Sequence, residues 1–425
     1  MLDIKLIREH PEIVENDLNK RGDTEKAKML QQLIKNDREK RDIIAKLDAA
    51  RQQRNVASIE ISKLKKHRQD AGKKLGEMVK ISDDIKKLEQ RLEDIEIKCN
   101  FALMRLPNIL HETVPVGKNE HDNVEIRRWG KQSFGFEPKD HMTLLENLGL
   151  IESEKAAEVA GHAFFYMKGK IARLDYALQM FAADFLIKRG YVLIEPPFML
   201  QRKPYEGVTD LADFENVMYK IDGEDLYLIA TSEHSIAAMK MNDVILSESL
   251  PLKFAGISPC FRREVGAHGK YTRGLFRMHQ FNKIEQFIFC LPEQSWELHE
   301  ELQKNSEDMM KLLEIPYRVV NVCTGDIGSI AAKKYDIEFL MADGKYREIG
   351  SNSNCTDYQA RRLNVKYREK DGQAPKGFAH TLNNTGIATS RAMVAIIENH
   401  QQADGSIRIP KALQPFTGFS EIAKE

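Results

Sequence analysis

The sequence predicts an α+β body preceded by an antiparallel two-helix coiled-coil arm. Three observations carry that reading. Between Lys28 and Leu106 there is no proline and apolar residues recur at helical spacing. From about residue 140 onward, short extended runs alternate with helical ones. The formal charge is zero over 425 residues, yet residues 26–80 hold sixteen Lys or Arg against seven Asp or Glu. A segregated basic element points to an anionic polymer as partner, which the whole-chain average would hide.

In chain order, residues 1–25 read as a short helical cap. The arm follows. In its second half Met78, Ile81, Ile85, Leu88, Leu92, Ile95, Cys99, Ala102 and Leu106 step alternately by three and four, a heptad seam. In its first half Leu30, Leu33, Ile44, Leu47 and Ile61 keep the same phase, with Asp37, Lys40, Arg51, Arg54 and Ser58 at seam positions between them. Gln69-Asp-Ala-Gly72 breaks the pattern, so the two helices fold back on each other with the tip near Gly72. A helix of about forty residues would reach roughly 60 Å, well beyond a domain of this size. Arg51, Arg54, Lys63, Lys65, Lys66 and Arg68 cluster toward the tip, where they would hold a phosphate backbone with little base specificity. Residues 1–110 are expected to form the cap and arm and 111–425 the body, with residues 111–139, rich in Pro, Gly, Asn and charge, as the entry.

In the body the pattern predicts a helix from Ala172 to Arg189. Strands are expected at 191–195, 226–230, 254–264, 276–290 and 317–322, and a final helix from Gly386. That order implies an antiparallel sheet with helices packed on it. A chain this long, 42% apolar, has ample material for a core. The five cysteines form no C-x-x-C pair, which argues against a disulfide framework and gives no zinc spacing. The N-terminus is charged throughout and no apolar run approaches a membrane span, so a cytoplasmic location with no membrane contact is expected.

The chemistry is concentrated in three segments. Phe261-Arg262-Arg263-Glu264 leads through a glycine-rich loop, Gly266 to Gly274, into Arg277-Met-His-Gln-Phe-Asn-Lys-Ile-Glu285. On extended strands Arg262 and Glu264 would share a face, as would Arg277, Phe281 and Glu285. Guanidinium for phosphate, an aromatic plane for a base and carboxylates for amino groups suit a nucleotide beside an amino acid. Asn383-Asn-Thr-Gly386-Ile-Ala-Thr-Ser-Arg391 reads as a glycine turn entering an apolar helix, with an arginine where the helix start already favours anions. Gly190-Tyr-Val-Leu-Ile-Glu-Pro196-Pro197 reads as a helix end, a strand and a proline stop. A fourth stretch, Tyr346-Arg-Glu348-Ile349-Gly350-Ser351, offers a carboxylate and a hydroxyl at a strand-ending turn.

These segments resemble motifs 2, 3 and 1 of the class II aminoacyl-tRNA synthetases, and in detail the seryl-tRNA synthetase family, over nearly the whole chain. The resemblance implies the class II catalytic fold and ligation of L-serine to serine tRNA through a seryl-adenylate, with selenocysteine tRNA an open second substrate. It implies that Arg262 bridges the α-phosphate of ATP and the serine carboxylate, that Arg391 holds the γ-phosphate, and that Arg277 supports the phosphates. Phe281 would stack on adenine, Glu264 accept from its amino group and Met278 border the ribose. Glu348, Ile349, Gly350 and Ser351 match the family's ATP-contacting run, with Glu348 and Ser351 also the expected Mg²⁺ ligands. Thr231, Ser232 and Glu233 match its T-x-E segment; with Arg262, Glu285 and Thr385 they would hold serine. Ser232 reads equally as a helix cap. Gly350 stands where many relatives carry serine. The loop at 266–274 would close over ATP, with Arg273 touching ATP or the tRNA end. The segment around Pro197 would form a homodimer interface.

Two rivals remain at this level. An amino-acid adenylating enzyme that loads a carrier protein would lack the basic arm. A catalytically silent coiled-coil protein would have lost one of Arg262, Glu285, Glu348 or Arg391, and all four are present.

Overall fold

A computed structural model describes residues 1–210, 217–264 and 274–424. It divides into two units, Met1–Leu106 and Pro107–Glu425. The expected loop movement and the contact of Arg273 lie outside the described residues.

In the first unit, α1 (Ile4–Glu9) and α2 (Pro11–Arg21) form the cap. Gly22, at φ 68°, ends α2 in a left-handed turn that a side chain would strain. Asp23 then caps α3 (Thr24–Lys66), accepting from the Lys26 amide at 2.9 Å. The 43-residue α3 and the 32-residue α4 (Gly72–Leu103) make the hairpin. Asp70 accepts from the Gly72 amide at 2.8 Å where α4 begins. Ion pairs Lys40–Glu96, Arg51–Glu89 and Glu60–Lys74 fix the antiparallel register, since numbers rise on one helix as they fall on the other, and Glu39–Arg91 adds a further link.

The seam differs from the sequence reading in α3. Ile43, not Ile44, is buried, and Ala57 rather than Ser58 faces inward. Arg51 and Arg54 point to solvent instead of sitting in the seam. A straight helix drifts relative to a strict heptad, so over 43 residues the buried face moves off the extrapolated phase. Asp37 keeps its inward place for a separate reason. Arg8 of α1 donates to both of its carboxylate oxygens, at 2.8 and 2.7 Å, and Arg41 donates at 3.2 Å.

The second unit is built on an eight-stranded sheet. Its strands are β1 (Val124–Trp129), β2 (Val192–Ile194), β3 (Leu252–Phe261), β4 (Gln280–Cys290), β5 (Tyr317–Asn321), β6 (Lys333–Leu340), β7 (Tyr346–Asn354) and β8 (His380–Ala388). Their spatial order is β1-β5-β6-β7-β8-β4-β3-β2. All neighbours are antiparallel except β2 and β3. Helices α5 (Gly169–Ile187), α6 (Ser232–Met239), α7 (Ser295–Leu312) and α8 (Thr389–Asn399) complete the frame.

Strand alternation assigns the two faces. Ile284 and Ile288 of β4 join Leu382, Ile337 and Val319 in a core with α5, α7 and α8. The odd residues Phe287 and Phe289 enter a second core beside α6, and the same face carries Lys283 and Glu285 into the site.

Two elements correct the sequence reading. Tyr346–Asn354 is itself a strand, not a turn after one. Gly386 lies within β8 instead of opening a helix, which begins at Thr389. A Cβ on Gly386 would come within 2.9 Å of the Ile284 carbonyl, so glycine is needed there for close strand approach at a bulge.

Candidate active site

Three walls meet at the site: the Arg262–Phe281 pair, Glu348 with the start of α8, and the start of α6. Burial and pairing set the side chains. The Arg262 amide donates to the His279 carbonyl at 2.9 Å, so pairing of the β3 and β4 segments outlasts β3. The guanidinium lies 5.3 Å over the Phe281 ring. Its Nε donates to the Ala230 carbonyl at 3.3 Å, just before α6. Arg391, in the first turn of α8, donates to the Glu348 carbonyl and pairs with its carboxylate, both at 3.0 Å. The same guanidinium sits 5.0 Å over Phe276. Glu348 feels the charges of both Arg391 and Arg262. Arg262, Phe281, Glu348 and Arg391 thus share one cleft.

Glu264 does not follow the expected alternation. Its φ of 47° is left-handed, beyond the end of β3, and its carboxylate pairs with Arg277. Arg277 likewise precedes β4. The two meet outside the strand ladder, not by strand alternation. Met278 is buried and lines a cavity with Phe281.

Glu348 and Ser351 are three apart and would face opposite ways on a regular strand. A bulge opposite Ile337 and Glu338 puts both on the face of Asp336. Ser351 donates to the Asp336 carboxylate. Burial and the charge of Glu348 push Asp336 up to about 7. Burial works in the same sense on Glu348, but Arg391, Lys334 and Arg262 outweigh it and hold that carboxyl below its usual range. Two neighbouring carboxylates, Asp336 partly buried and Glu348 open to solvent, and a hydroxyl form the donor set that Mg²⁺ takes when phosphates supply the rest, so these residues fit the ion. Among the described residues no group of three or more His, Cys, Asp or Glu is placed to hold a metal on its own. Ile349 packs into the core, which leaves only its backbone to the cleft. A Cβ on Gly350 would stand 2.8 Å from Thr385 Cβ. Glycine here makes room for Thr385.

The third wall is α6. Thr231, not Ser232, caps it, accepting from the Glu233 amide at 3.3 Å. The Ser232 hydroxyl donates to the Gly256 carbonyl at 3.3 Å, so the cap role expected of it falls to Thr231. Glu233 accepts from Gln359 at 2.9 Å. Burial, then the neighbouring Glu285 charge, pushes it up to about 7. Burial also raises Glu285, with Lys283 and Arg262 pulling the other way. Thr385 lies opposite Glu285 in the β4–β8 register.

Sequence reasoning missed Lys283, Asp336 and Gln359. Lys283 was readable, since it lies two residues from both Phe281 and Glu285 on the same strand. Asp336 and Gln359 were not, because their places depend on strand register and on a helix packed from afar.

Comparison with known proteins fits this geometry. Residues 1–110 match the seryl-tRNA synthetase N-terminal domain, and residues 217–400 match the tRNA synthetase class II core domain (G, H, P, S and T). The serine–tRNA ligase of Methanoculleus marisnigri is 53% identical over 99% of this chain and 100% of its own. That of Methanocella arvoryzae is 52% identical over 98% of each. The chain belongs to the seryl-tRNA synthetase family. Among solved structures of the family, seryl-tRNA synthetase from Pyrococcus horikoshii complexed with ATP superposes with a TM-score of 0.95 at 48% identity, covering all of both chains. The cytoplasmic serine–tRNA ligase of Naegleria fowleri in complex with AMP gives 0.90 at 34% identity. The basic residues Arg51, Arg54, Lys63, Lys65, Lys66 and Arg68 of the synthetase arm are all exposed.

Proposed function

We propose that this synthetase ligates L-serine to serine tRNA in two steps within the cleft. A serine carboxylate oxygen attacks the α-phosphorus of ATP and pyrophosphate leaves, giving seryl-adenylate. A hydroxyl of the terminal tRNA adenosine then attacks the seryl carbonyl and AMP leaves. Both steps gather negative charge, so the protein's task is positioning and charge stabilisation.

The observation that carries this reading is the shared cleft of Arg262, Phe281, Glu348 and Arg391, bordered by Thr231, Glu233, Glu285 and Thr385. Arg262 stands between the nucleotide and serine walls, placed to bridge the α-phosphate and the substrate carboxylate. Arg391 and Arg277 take the outer phosphates, Phe281 the adenine plane and Glu264 its amino group. Met278 borders the ribose. Thr231 and Glu233 accept from the ammonium, and Glu285 and Thr385 meet the hydroxyl. A pocket that bonds a hydroxyl rejects alanine by ~10⁴ to 10⁵, because its buried polar groups would be left unpaired. Glu348 and Ser351 would hold Mg²⁺, which when bound neutralises charge between phosphate oxygens.

The arm tip carries the basic surface for the tRNA backbone. Tyr176, Met180 and Ile187 form an exposed apolar stripe on α5, continued by Val192 and Leu193 on edge strand β2. Such a stripe beside an open edge supports a homodimer through this surface. A cytoplasmic location follows from that role, and no helix among the described residues is long and apolar enough to cross a membrane. Incubation of the enzyme with total tRNA, ATP and labelled serine tests the reading: acid-precipitable label in serine tRNA is expected, and its absence refutes it.

A further inference from the structure

Lys283 has no place in the mechanism above, yet it lies at the centre of the serine wall. It is 6% exposed, and its ammonium pairs with the carboxylate of Glu285, which is 2% exposed. Lysine is almost never buried this far without a partner. Its strand neighbours in the register, Ser258 and Ala388, are small, which leaves room for the aliphatic stem.

The polar and titratable groups around the pair come from three elements. Helix α6 contributes Glu233 and His234, the end of β3 contributes Cys260 and Arg262, and Thr231 bonds Glu285 from the α6 cap. On the β8 side stand Asn383 and Thr385, both uncharged. His234 is pushed down to about 3 by burial and then by Lys283 and Arg262, so it is neutral. Burial raises the Cys260 thiol, which stays neutral too. The charges that remain above about pH 7 are two carboxylates, Glu233 and Glu285, against two cations, Lys283 and Arg262; below it Glu233 is protonated and Glu285 stands alone.

We infer that Lys283 is the resident counter-ion of the serine pocket, keeping Glu285 ionised and acceptor-only until the ammonium of the substrate arrives. The inference rests on the reading of Glu233 and Glu285 as serine ligands. An ionised carboxylate accepts from both the ammonium and the hydroxyl of serine; a protonated one turns a donor toward them. Arg262 alone cannot balance two buried carboxylates and also serve the phosphate and the substrate carboxylate. With Lys283 present the charges of the empty pocket balance once Glu233 is ionised, and zwitterionic serine enters without changing the net charge. Without it, a proton takes the lysine's place at Glu285.

The test measures dissociation constants of serine and of ATP from pH 6 to 8.5 for the full chain, Lys283→Met and Lys283→Gln. Glutamine keeps a donor for Glu285 and guards against a packing failure. In both variants serine binding is expected to weaken by ~10-fold or more near pH 6.5 and to recover as pH rises, its inflection displaced upward by about one unit or more. ATP binding should stay within about twofold. A serine profile with the wild-type inflection overturns the inference. So does parallel, pH-independent weakening for serine and ATP, or failure of both variants to fold, since each assigns the lysine to packing. Absence of serine binding by the wild-type chain would instead remove the functional reading beneath it.

Discussion

Gly350→Ala isolates the packing that shapes the serine pocket. The added Cβ would lie 2.8 Å from Thr385 Cβ, 3.1 Å from its Cγ2 and 3.5 Å from its Oγ1. Carbon atoms pack best at about 3.5 to 4.0 Å, so one of the two strands must yield by roughly 0.7 Å or more. Overpacking of this kind costs about 1–3 kcal/mol. The atoms displaced belong to the residue assigned to the serine hydroxyl, and a misplacement approaching 1 Å costs up to ~10² in rate. Serine-dependent pyrophosphate exchange should therefore show kcat/KM for serine lowered ~10- to 100-fold, with a smaller change for ATP. Adding Thr385→Ser removes Cγ2 but leaves the Cβ contact, so the double variant should recover stability only in part. The two changes should couple by about 0.5–3 kcal/mol in a double-mutant cycle. Gly350→Ala with wild-type serine KM and wild-type melting temperature would refute the packing argument.

Glu233 is expected to leave a pH signature. Its carboxyl is raised by burial from 4.5 to about 7, so the folded chain holds that proton more tightly than the unfolded one. The resulting stability is complete below pH 4.5 and lost as pH rises through about 7. Urea unfolding of Glu233→Gln should thus gain on wild type with rising pH, by on the order of 3 kcal/mol in all; a constant offset would contradict the assignment. His234, pushed down to about 3, slopes the other way but is common to both chains. At the arm base, burial works against ionised Asp37, but Arg8 and Arg41 outweigh it and hold the carboxyl below its usual range. That contribution is present above the ordinary carboxylate value and lost as pH falls through the folded one. Asp37→Ala should cost roughly 1–3 kcal/mol at neutral pH by helix-sensitive circular dichroism and lose this acid dependence. Deleting residues 30–105 should spare serine-dependent exchange and abolish tRNA charging; charging that survives would refute the arm's role.

The parts legible in the sequence were those governed by local periodicity. The hairpin, its tip and the helix before β2 follow from apolar spacing and from the break at Gln69–Gly72. The strands β3, β4 and β5 were readable within a few residues at their ends. Strands β6, β7 and β8 were not, because Asp336, Glu348, Asn352 and Asn384 interrupt any apolar pattern. Their polar groups bond to one another, to α7 or to α8, as Asn384 does to the Leu302 carbonyl at 2.7 Å and Glu348 to Arg391. Gly386 misled for the same reason, since close approach of two backbones and a helix entry both call for glycine. Chemical type picked out Arg262, Phe281 and Arg391, which the fold brings near one another, whereas the bond of Ser232 to the Gly256 carbonyl depends on packing that sequence does not show.

The central claim is that these side chains activate serine with ATP. Exchange of labelled pyrophosphate into ATP, run separately with each of the twenty amino acids, tests it most directly. Exchange driven by serine and reduced by ~10² or more in Arg262→Ala is the predicted result; exchange driven by threonine, or by no amino acid, contradicts it.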